Sequence, residues 1–348
     1  MNKIGDVLLV LRRAADITQE SLAEELGITQ AALSRYENNL RDPDEAMLGK
    51  LALALGTTEG FLSHSFQMQG AIAADAHMRR QKTTKPSDWK RVEAQLNALR
   101  MHSSYLLDRV PMRAQNHVVP VDPDERTPSA AADLIRAAWR MPIGPVRHLV
   151  QWIESAGVIV VEEDFGTHRI DGMSQWSGEY PVIIVNNVLP VDRKRLTLAH
   201  ELGHLVLHTD YVDVDVESQA NEFAAQFLMP LHVISPQLRA LTLGKLTDLK
   251  AEWGVSMQAI FERAFRSGKV SADERQNFYR HMNSRGWKTR EPGGENIPPE
   301  VPSLAQSIGR RLLDGGLTER EINSLSGIQE GRPTPFLPPM RRLHAVGA

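Results

Sequence analysis

The chain has 348 residues, of which 42% are hydrophobic and 24% charged, a composition typical of globular proteins rather than disordered or fibrous ones. It contains no cysteine, which excludes disulfide bonds, thiolate metal sites and cysteine nucleophiles, so a bound metal would need His, Asp or Glu ligands. The net charge of −3 gives no bulk support for nucleic-acid binding, which must therefore be argued from a local motif.

The first predicted unit, residues 1–65, consists of five short helices, because apolar residues recur there at helical spacing. Thr18 begins the second helix as an N-cap and Gly27 ends it, and Thr29 caps a third helix, Gln30–Glu37. Two helices joined by a short turn that contains Gly are the helix-turn-helix signature. The sequence therefore predicts an all-α helix-turn-helix domain.

The third helix of this unit would enter the major groove of double-stranded DNA with its N-terminal part against the base edges. Gln suits adenine, Arg suits guanine and Ala31 can contact a thymine methyl group, whereas Leu33 and Tyr36 face inward. The predicted DNA-facing residues of this helix and its cap are Thr29, Gln30, Ala31, Ser34 and Arg35.

Charge argues for caution about this interface. Residues 1–60 carry six Lys and Arg against ten Asp and Glu, a balance of −4, so tight non-specific phosphate binding is not expected from this unit. A protein-docking module is therefore the alternative to a DNA-binding domain. Because paired domains read two half-sites one helical turn apart, DNA binding would also predict a homodimer.

Residues 66–125 are predicted to form a basic linker followed by one amphipathic helix, which begins after the break at Lys85-Pro86-Ser87. Residues 126–232 have the pattern of an α+β unit, with two helices, three strands and two further helices. The strands are predicted at Gly157–Glu162, Ile170–Trp176 and Pro181–Asn186, and the last two helices at Arg193–His208 and Val216–Leu228.

The helix Arg193–His208 contains the pattern His-Glu-x-x-His. Residues four apart lie on one helical face, so His200 and His204 can offer two imidazoles to one ion. Glu201 lies beside such an ion, where it can accept a proton from a metal-bound water as the general base of hydrolysis. We interpret His208 as a packing residue at the helix end rather than a partner of the site.

A catalytic zinc site needs a third protein ligand and one open position. Glu217, which opens the next helix, is the favoured ligand, and Asp210 is the alternative. The alternative pattern requires a Gly for a sharp turn, and Leu207 stands at that position. The predicted cofactor is Zn²⁺, although His and carboxylate ligands also admit Mn²⁺.

The region 233–325 is predicted to be mostly helical, and the Pro-, Gly- and Arg-rich tail 326–348 to be disordered. Within the helical region, Leu246–Ala264 has a helix, Gly turn, helix pattern, whose expected role is packing against the preceding unit or a dimer partner.

Five segments carry a family resemblance: RKRLTLAHELGHLVLH (Arg193–His208), ESQANEFAAQFLMP (Glu217–Pro230), WRMPIGP (Trp139–Pro145), AGVIV (Ala156–Val160) and IDGMS (Ile170–Ser174). They resemble the ImmA/IrrE family of metallopeptidases, and the N-terminal unit is similar to Cro/repressor-type helix-turn-helix regulators of the XRE family. The resemblance implies a zincin-like metallopeptidase domain with zinc held by His200, His204 and Glu217 and with Glu201 as the base. The similarity to these repressors also implies a phosphate contact from Gln19.

This resemblance predicts a DNA-binding regulator with a zinc endopeptidase domain, which cleaves a helix-turn-helix repressor or the chain itself. The alternative is a transcription factor in which the zinc domain senses a ligand or stabilises the fold. A small-substrate hydrolase with a vestigial helix-turn-helix is a weaker third reading. No apolar run approaches the roughly eighteen residues of a membrane span, and no signal peptide is recognisable, so a cytoplasmic location without a membrane partner is expected.

Overall fold

A computed structural model describes residues 4–66, 85–178, 180–209 and 215–338 of the chain. It begins with five helices: α1 (Ile4–Ala14), α2 (Gln19–Leu26), α3 (Gln30–Glu37), α4 (Glu45–Leu55) and α5 (Glu59–Leu62). The predicted caps are present, because Thr18 Oγ1 accepts a hydrogen bond from the Ser21 N–H at 3.1 Å and Thr29 Oγ1 accepts one from the Ala32 N–H at 3.2 Å. Gly27 ends α2 in the left-handed conformation with φ 67°. The predicted helix-turn-helix is confirmed.

A long helix, α6 (Pro86–Leu107), connects the first unit to the rest of the molecule. Met101 and Tyr105 on one side of α6 belong to the helix-turn-helix core. Trp89 and Leu96 on another side pack in a cluster that includes the residues of the sheet. The helix within the predicted linker is therefore a buried joint that contributes to both cores; most of the basic part of that linker, residues 67–84, lies outside the described residues.

The α+β unit contains the elements that the sequence predicts. Its sheet has the order β1-β3-β2, with β1 parallel and β2 antiparallel to β3. Alternate residues of β3 enter two clusters on opposite faces, Ile183 and Val185 on one and Val182 and Ile184 on the other, which is why the strand is almost continuously apolar. The elements are α7 (Pro128–Ala138), α8 (Leu149–Ser155), β1 (Ile159–Glu163), β2 (Gly172–Ser177), β3 (Tyr180–Asn186), α9 (Val191–Leu207) and α10 (Val216–Leu228).

The remaining chain is helical, as predicted, but the core does not break at residue 232. Leu249, Ile260 and Phe278 from this region lie in the same hydrophobic cluster as Leu205 of α9. The predicted packing of the Leu246–Ala264 segment against the preceding unit is therefore present. The elements are α11 (Leu231–Ile234), α12 (Leu243–Trp253), α13 (Met257–Arg266), α14 (Ala272–Ser284), α15 (Leu304–Asp314) and α16 (Glu319–Leu325), with short 3-10 turns at Ser235–Leu238 and Gly294–Asn296.

The start of the predicted disordered tail is packed in the structure. Ile328 forms an antiparallel bridge with Thr57, and Phe336 is fully buried. Gly327 has φ 73°, and a Cβ at this position would lie 2.1 Å from a ring carbon of Phe61, so only Gly fits there. The prediction of disorder is therefore wrong for residues 326–338, whereas residues 339–348 lie outside the described residues.

Among the helices of the described ranges, none has both the length and the apolar character needed to cross a membrane.

Candidate metal centre and DNA-binding helix

Helix α9 brings the two histidines of the His-Glu-x-x-His pattern together. His200 and His204 lie one turn apart, and their Nε2 atoms are 3.0 Å from each other. Leu198, Leu202 and Leu205 on the same helix belong to the core, so α9 is buried on the faces that do not carry the histidines. Both imidazoles are almost completely buried. The helix therefore presents two ring nitrogens to one point.

Glu217 completes this cluster from the first turn of α10. Its Oε1 lies 3.4 Å from His204 Nε2, and its Oε2 lies 3.7 Å from His200 Nε2. The two helices approach closely at Gly203, where a Cβ would be 3.1 Å from a ring carbon of Phe223 on α10. One atom from each of the three side chains lies within 4.8 Å of the others, close enough to share a metal ion. The rival ligand Asp210 lies outside the described residues.

Glu201 is held by a neighbouring strand. Its Oε2 accepts a hydrogen bond of 2.8 Å from the hydroxyl of Ser174 in β2, and both residues are buried. Two residues earlier in β2, a Cβ at Gly172 would lie 2.7 Å from Thr197 Cγ2 and 3.3 Å from Glu201 Cγ. The strand thus passes directly over the Glu201 side chain. The sequence analysis did not assign a role to Ser174, although it lies in the IDGMS segment of the resemblance.

His208 is not the simple packing residue that the sequence analysis predicted. Its Nδ1 lies 2.9 Å from His204 Nδ1, and its Nε2 lies 2.8 Å from the Gln219 side-chain oxygen. With the Gln219 oxygen as acceptor, the hydrogen-bond pattern assigns the His208 proton to Nε2, and His208 Nδ1 then accepts from the Nδ1–H of His204. That tautomer leaves the Nε2 lone pair of His204 directed at the cluster, as a metal ligand requires.

A cavity of about 540 Å³ opens beside His200, Glu201 and Glu217. We group the lining residues into two walls. The first wall consists of residues at the start of β2 and in the N-terminal half of α9, and the second consists of residues of α10, α13 and the segment 288–291. The second wall comes mainly from the helical region that the sequence placed outside the metal-binding unit. Its charged and polar residues include Asn221, Gln258, Glu262, Arg263, Arg266, Lys288 and Glu291.

The predicted DNA-binding residues lie on the outer side of the helix-turn-helix unit. Leu33 and Tyr36 are buried, as predicted. Thr29, Gln30, Ala31 and Arg35 are exposed and Ser34 is partly exposed. The structure therefore places the predicted side chains of α3 on one accessible surface.

Gln19 forms a hydrogen bond to a buried ion pair between α1 and α3. Arg12 Nε donates to Glu37 Oε1 at 2.5 Å, and Gln19 Nε2 donates to Glu37 Oε2 at 2.7 Å. Arg12 also donates to the Ile17 carbonyl at 2.7 Å, so one network fixes α1, α2 and α3 relative to each other. Gln19 thus has a structural partner at the position where the resemblance implies a phosphate contact.

Comparison with known families gives two matches. Residues 153–265 match the peptidase family described as the IrrE N-terminal-like domain, and residues 9–62 match the helix-turn-helix family. The first match ends inside α13, consistent with a peptidase unit that extends beyond residue 232. No curated protein matches the chain.

Proposed function

We propose that this chain, which joins a helix-turn-helix DNA-binding domain to an IrrE-like peptidase domain, is a transcription regulator with a zinc-dependent endopeptidase activity directed at a regulator protein. The observation that carries the proposal is the convergence of His200, His204 and Glu217 next to Glu201 at the wall of a cavity. A buried base beside three ligand side chains that border a cavity is the arrangement that metal-assisted peptide hydrolysis requires.

The residues present fit a zinc ion. Two imidazole nitrogens and one carboxylate form a donor set typical of catalytic zinc, and His208 together with Gln219 orients one of the imidazoles. The same donors admit manganese. When bound, zinc polarises a peptide carbonyl and makes a water molecule more acidic.

Glu201 supplies the proton transfers of the reaction. Its carboxylate accepts a proton from the attacking water as the water oxygen bonds to the peptide carbonyl carbon, and it then passes this proton to the nitrogen of the breaking C–N bond. The Ser174 hydroxyl, 2.8 Å from Glu201 Oε2, fixes the orientation of the carboxylate. Glu201 is therefore the catalytic residue and Ser174 a positioning residue.

The helix-turn-helix match and the exposed face of α3 support binding to a double-stranded DNA operator, with Gln30, Ala31, Ser34 and Arg35 at the base edges. We propose that the protein acts in the cytoplasm as a homodimer, because operators are read by paired domains. The cleaved protein is a helix-turn-helix repressor or this chain itself, as the resemblance implies. Cleavage would couple proteolysis to transcription.

The replacement Glu201→Gln tests the proposal, because it removes the base and keeps the ligands. Cleavage of an unfolded protein such as casein by the zinc-loaded full chain should fall about 10²- to 10⁴-fold, with no change in metal content. The matched control is Glu252→Gln on α12, a carboxylate that bonds Gln237 away from the cavity. Equal cleavage by the wild type and Glu201→Gln would refute proteolysis at this site.

The second candidate function is a transcription factor in which the metal domain senses a ligand without proteolysis. The continuity of the two units favours it: α6 belongs to both cores, and the Gly327 carbonyl accepts hydrogen bonds from Thr57 and Thr58 of the helix-turn-helix unit. Occupancy of the cavity could then be transmitted to the DNA-binding unit through packed elements. If promoter regulation in cells is intact in Glu201→Gln, proteolysis is not the mechanism of regulation, and this candidate takes its place.

A further inference from the structure

The acidic side chains that line the cavity beyond the proposed metal centre have cationic partners, whereas some of the basic side chains have no acidic partner among the described residues. Among its carboxylates, Asp171 accepts two hydrogen bonds from Arg193, at 2.7 and 2.8 Å. Asp192 and Glu291 both bind the buried ammonium of Lys250, at 2.6 and 3.0 Å. The charge of Asp171 is thus compensated, and Asp192 and Glu291 share the single charge of Lys250, so these side chains attract a further positive charge less than free carboxylates would.

Glu262, on the second wall, also forms an ion pair with a cationic side chain. Its Oε1 accepts hydrogen bonds of 2.7 Å from Arg275 Nε and from the Tyr279 hydroxyl. Burial and this hydrogen bond raise the pKa of Tyr279, so the phenol remains a donor to Glu262 at neutral pH. The negative charge of Glu262 is therefore compensated by Arg275, which does not line the cavity.

Two cations of the second wall lack such partners. Arg266, the last residue of α13, and Lys288 are exposed at the cavity, and in the ranges that the structure describes neither forms an ion pair. Arg263 differs from them, because its side chain donates to the Met229 carbonyl and to the Gln226 side-chain oxygen. Burial lowers the pKa of Arg263, whereas the nearby carboxylates of Glu222 and Asp133 act in the opposite direction and partly compensate its charge. Arg266 and Lys288 are therefore the cations of this wall that can bind an anionic ligand.

We propose that this wall selects peptides that carry an Asp or Glu side chain close to the scissile bond, with Arg266 and Lys288 as the residues that bind its carboxylate. The inference rests on the proposed peptidase function and specifies its substrate class.

The size of the cavity and the chemistry of the two cations support this assignment. A volume of about 540 Å³ is within the usual range of ligand sites, roughly 300–1,000 Å³, and holds only a short stretch of peptide. His200, Glu201, His204 and Glu217 form a cluster that we call the metal-type cluster. All of these except His204 line the same cavity as Arg266 and Lys288, so a carboxylate that reaches Arg266 belongs to a residue near the cleaved bond. A guanidinium binds a carboxylate through two parallel hydrogen bonds, whereas a Lys or Arg of a substrate would be repelled.

Binding of matched peptide pools to the zinc-loaded Glu201→Gln protein tests the proposal without cleavage. Three fluorescent pools of random short peptides are compared: an amidated pool with a central Glu, an amidated pool with a central Gln, and the Gln pool with a free C-terminal carboxylate. We expect the Glu pool to bind about tenfold more tightly than either Gln pool, as for one charge-assisted hydrogen bond, and the difference to shrink at high salt.

The double replacement Arg266→Ala with Lys288→Ala should abolish this preference. The double replacement Lys269→Ala with Arg280→Ala removes the same charge at exposed positions outside the cavity and should preserve it. Equal binding of the Glu and Gln pools, including no binding of either, overturns the proposal, and so does tight binding of the free-carboxylate pool alone. Casein cleavage by the wild type with equal pool binding would leave the peptidase function standing and remove only this inference.

Discussion

The two functional regions of the molecule are built in opposite ways. In the metal-type cluster the side chains are buried, and two of them are held by neighbours outside it: Ser174 bonds Glu201, and His208 bonds His204. On the DNA-binding helix, Gln30 and Arg35 are exposed, and the support lies behind them in the Arg12–Glu37 ion pair. A catalytic group must be fixed before its substrate arrives, whereas a side chain that reads bases needs only a rigid backbone beneath it.

This difference determines what a substitution can reveal in each region. Changes at the three proposed ligands or at His208 should alter metal binding and catalysis together, whereas Glu201→Gln should alter catalysis alone. Changes on α3 should alter DNA binding and leave the fold unaffected.

The largest effect is expected from Glu217→Ala. This replacement removes one of the three proposed ligands from a buried cluster, and zinc affinity should fall by more than the roughly 10- to 100-fold typical of losing an outer hydrogen-bond partner. Elemental analysis of the purified full chain should show the loss of about one zinc per chain. Asp210→Ala, which tests the alternative ligand, should retain the metal. Retention by Glu217→Ala and loss by Asp210→Ala would reverse the ligand assignment.

The next largest effect concerns the stability of the cavity wall. Lys250 is 1% exposed and binds both Asp192 and Glu291, which joins α12 to α9 and to the segment before the 3-10 turn. Lys250→Ala leaves two buried carboxylates without their cation, and the free energy of unfolding should fall by about 3–5 kcal/mol. Urea unfolding followed by tryptophan fluorescence measures this change.

The control for that experiment is Lys245→Ala on the same helix. The ammonium of Lys245 donates to the Arg239 carbonyl at an exposed position, so its removal should change stability by less than about 0.5 kcal/mol. Similar losses for the two variants would mean that the buried ion pairs do not stabilise the junction.

A smaller effect is expected at the outer layer of the metal-type cluster. His208→Ala removes the acceptor that orients His204, so zinc affinity should fall about 10- to 100-fold while the three ligands remain. Competition with a chelator measures this affinity. His232→Ala, at a histidine on α11 outside the central cavity, is the matched control. An unchanged zinc affinity in His208→Ala would mean that His208 is a packing residue, as the sequence analysis predicted.

Whether a feature could be predicted from the sequence depends on how far apart in the chain its contacting residues lie. The caps at Thr18 and Thr29 and the pairing of His200 with His204 arise from neighbours three or four residues apart, so a local pattern reveals them. The role of His208 required its link to Gln219, and the sequence alone leaves the direction of a helix-end histidine open.

The packed tail and the second cavity wall were beyond local patterns. Thr57 bonds the Gly327 carbonyl across 270 residues of sequence, and nothing in a Pro- and Gly-rich segment marks this partner. Arg263 and Arg266 belong to an amphipathic helix whose apolar face predicted only packing, whereas its polar face lines the cavity. Long-range contacts of this kind depend on the assembled core.

The smallest effect, and the sharpest separation of the two regions, is expected from Arg35→Ala on α3. Arg35 is exposed, so its removal should leave the unfolding midpoint and the zinc content unchanged. If its guanidinium contacts a guanine, affinity for the operator should fall by about 1–3 kcal/mol and discrimination at one base pair should relax. The probe is the duplex that the wild-type chain selects from a random pool, measured by fluorescence anisotropy at fixed salt.

Lys50→Ala on α4, another exposed cation, is the control and should bind the selected duplex normally. Unchanged binding by both variants would indicate that α3 does not read bases through Arg35, and if the wild type selects no duplex at all, the unit is a docking module, as its acidic charge balance would allow.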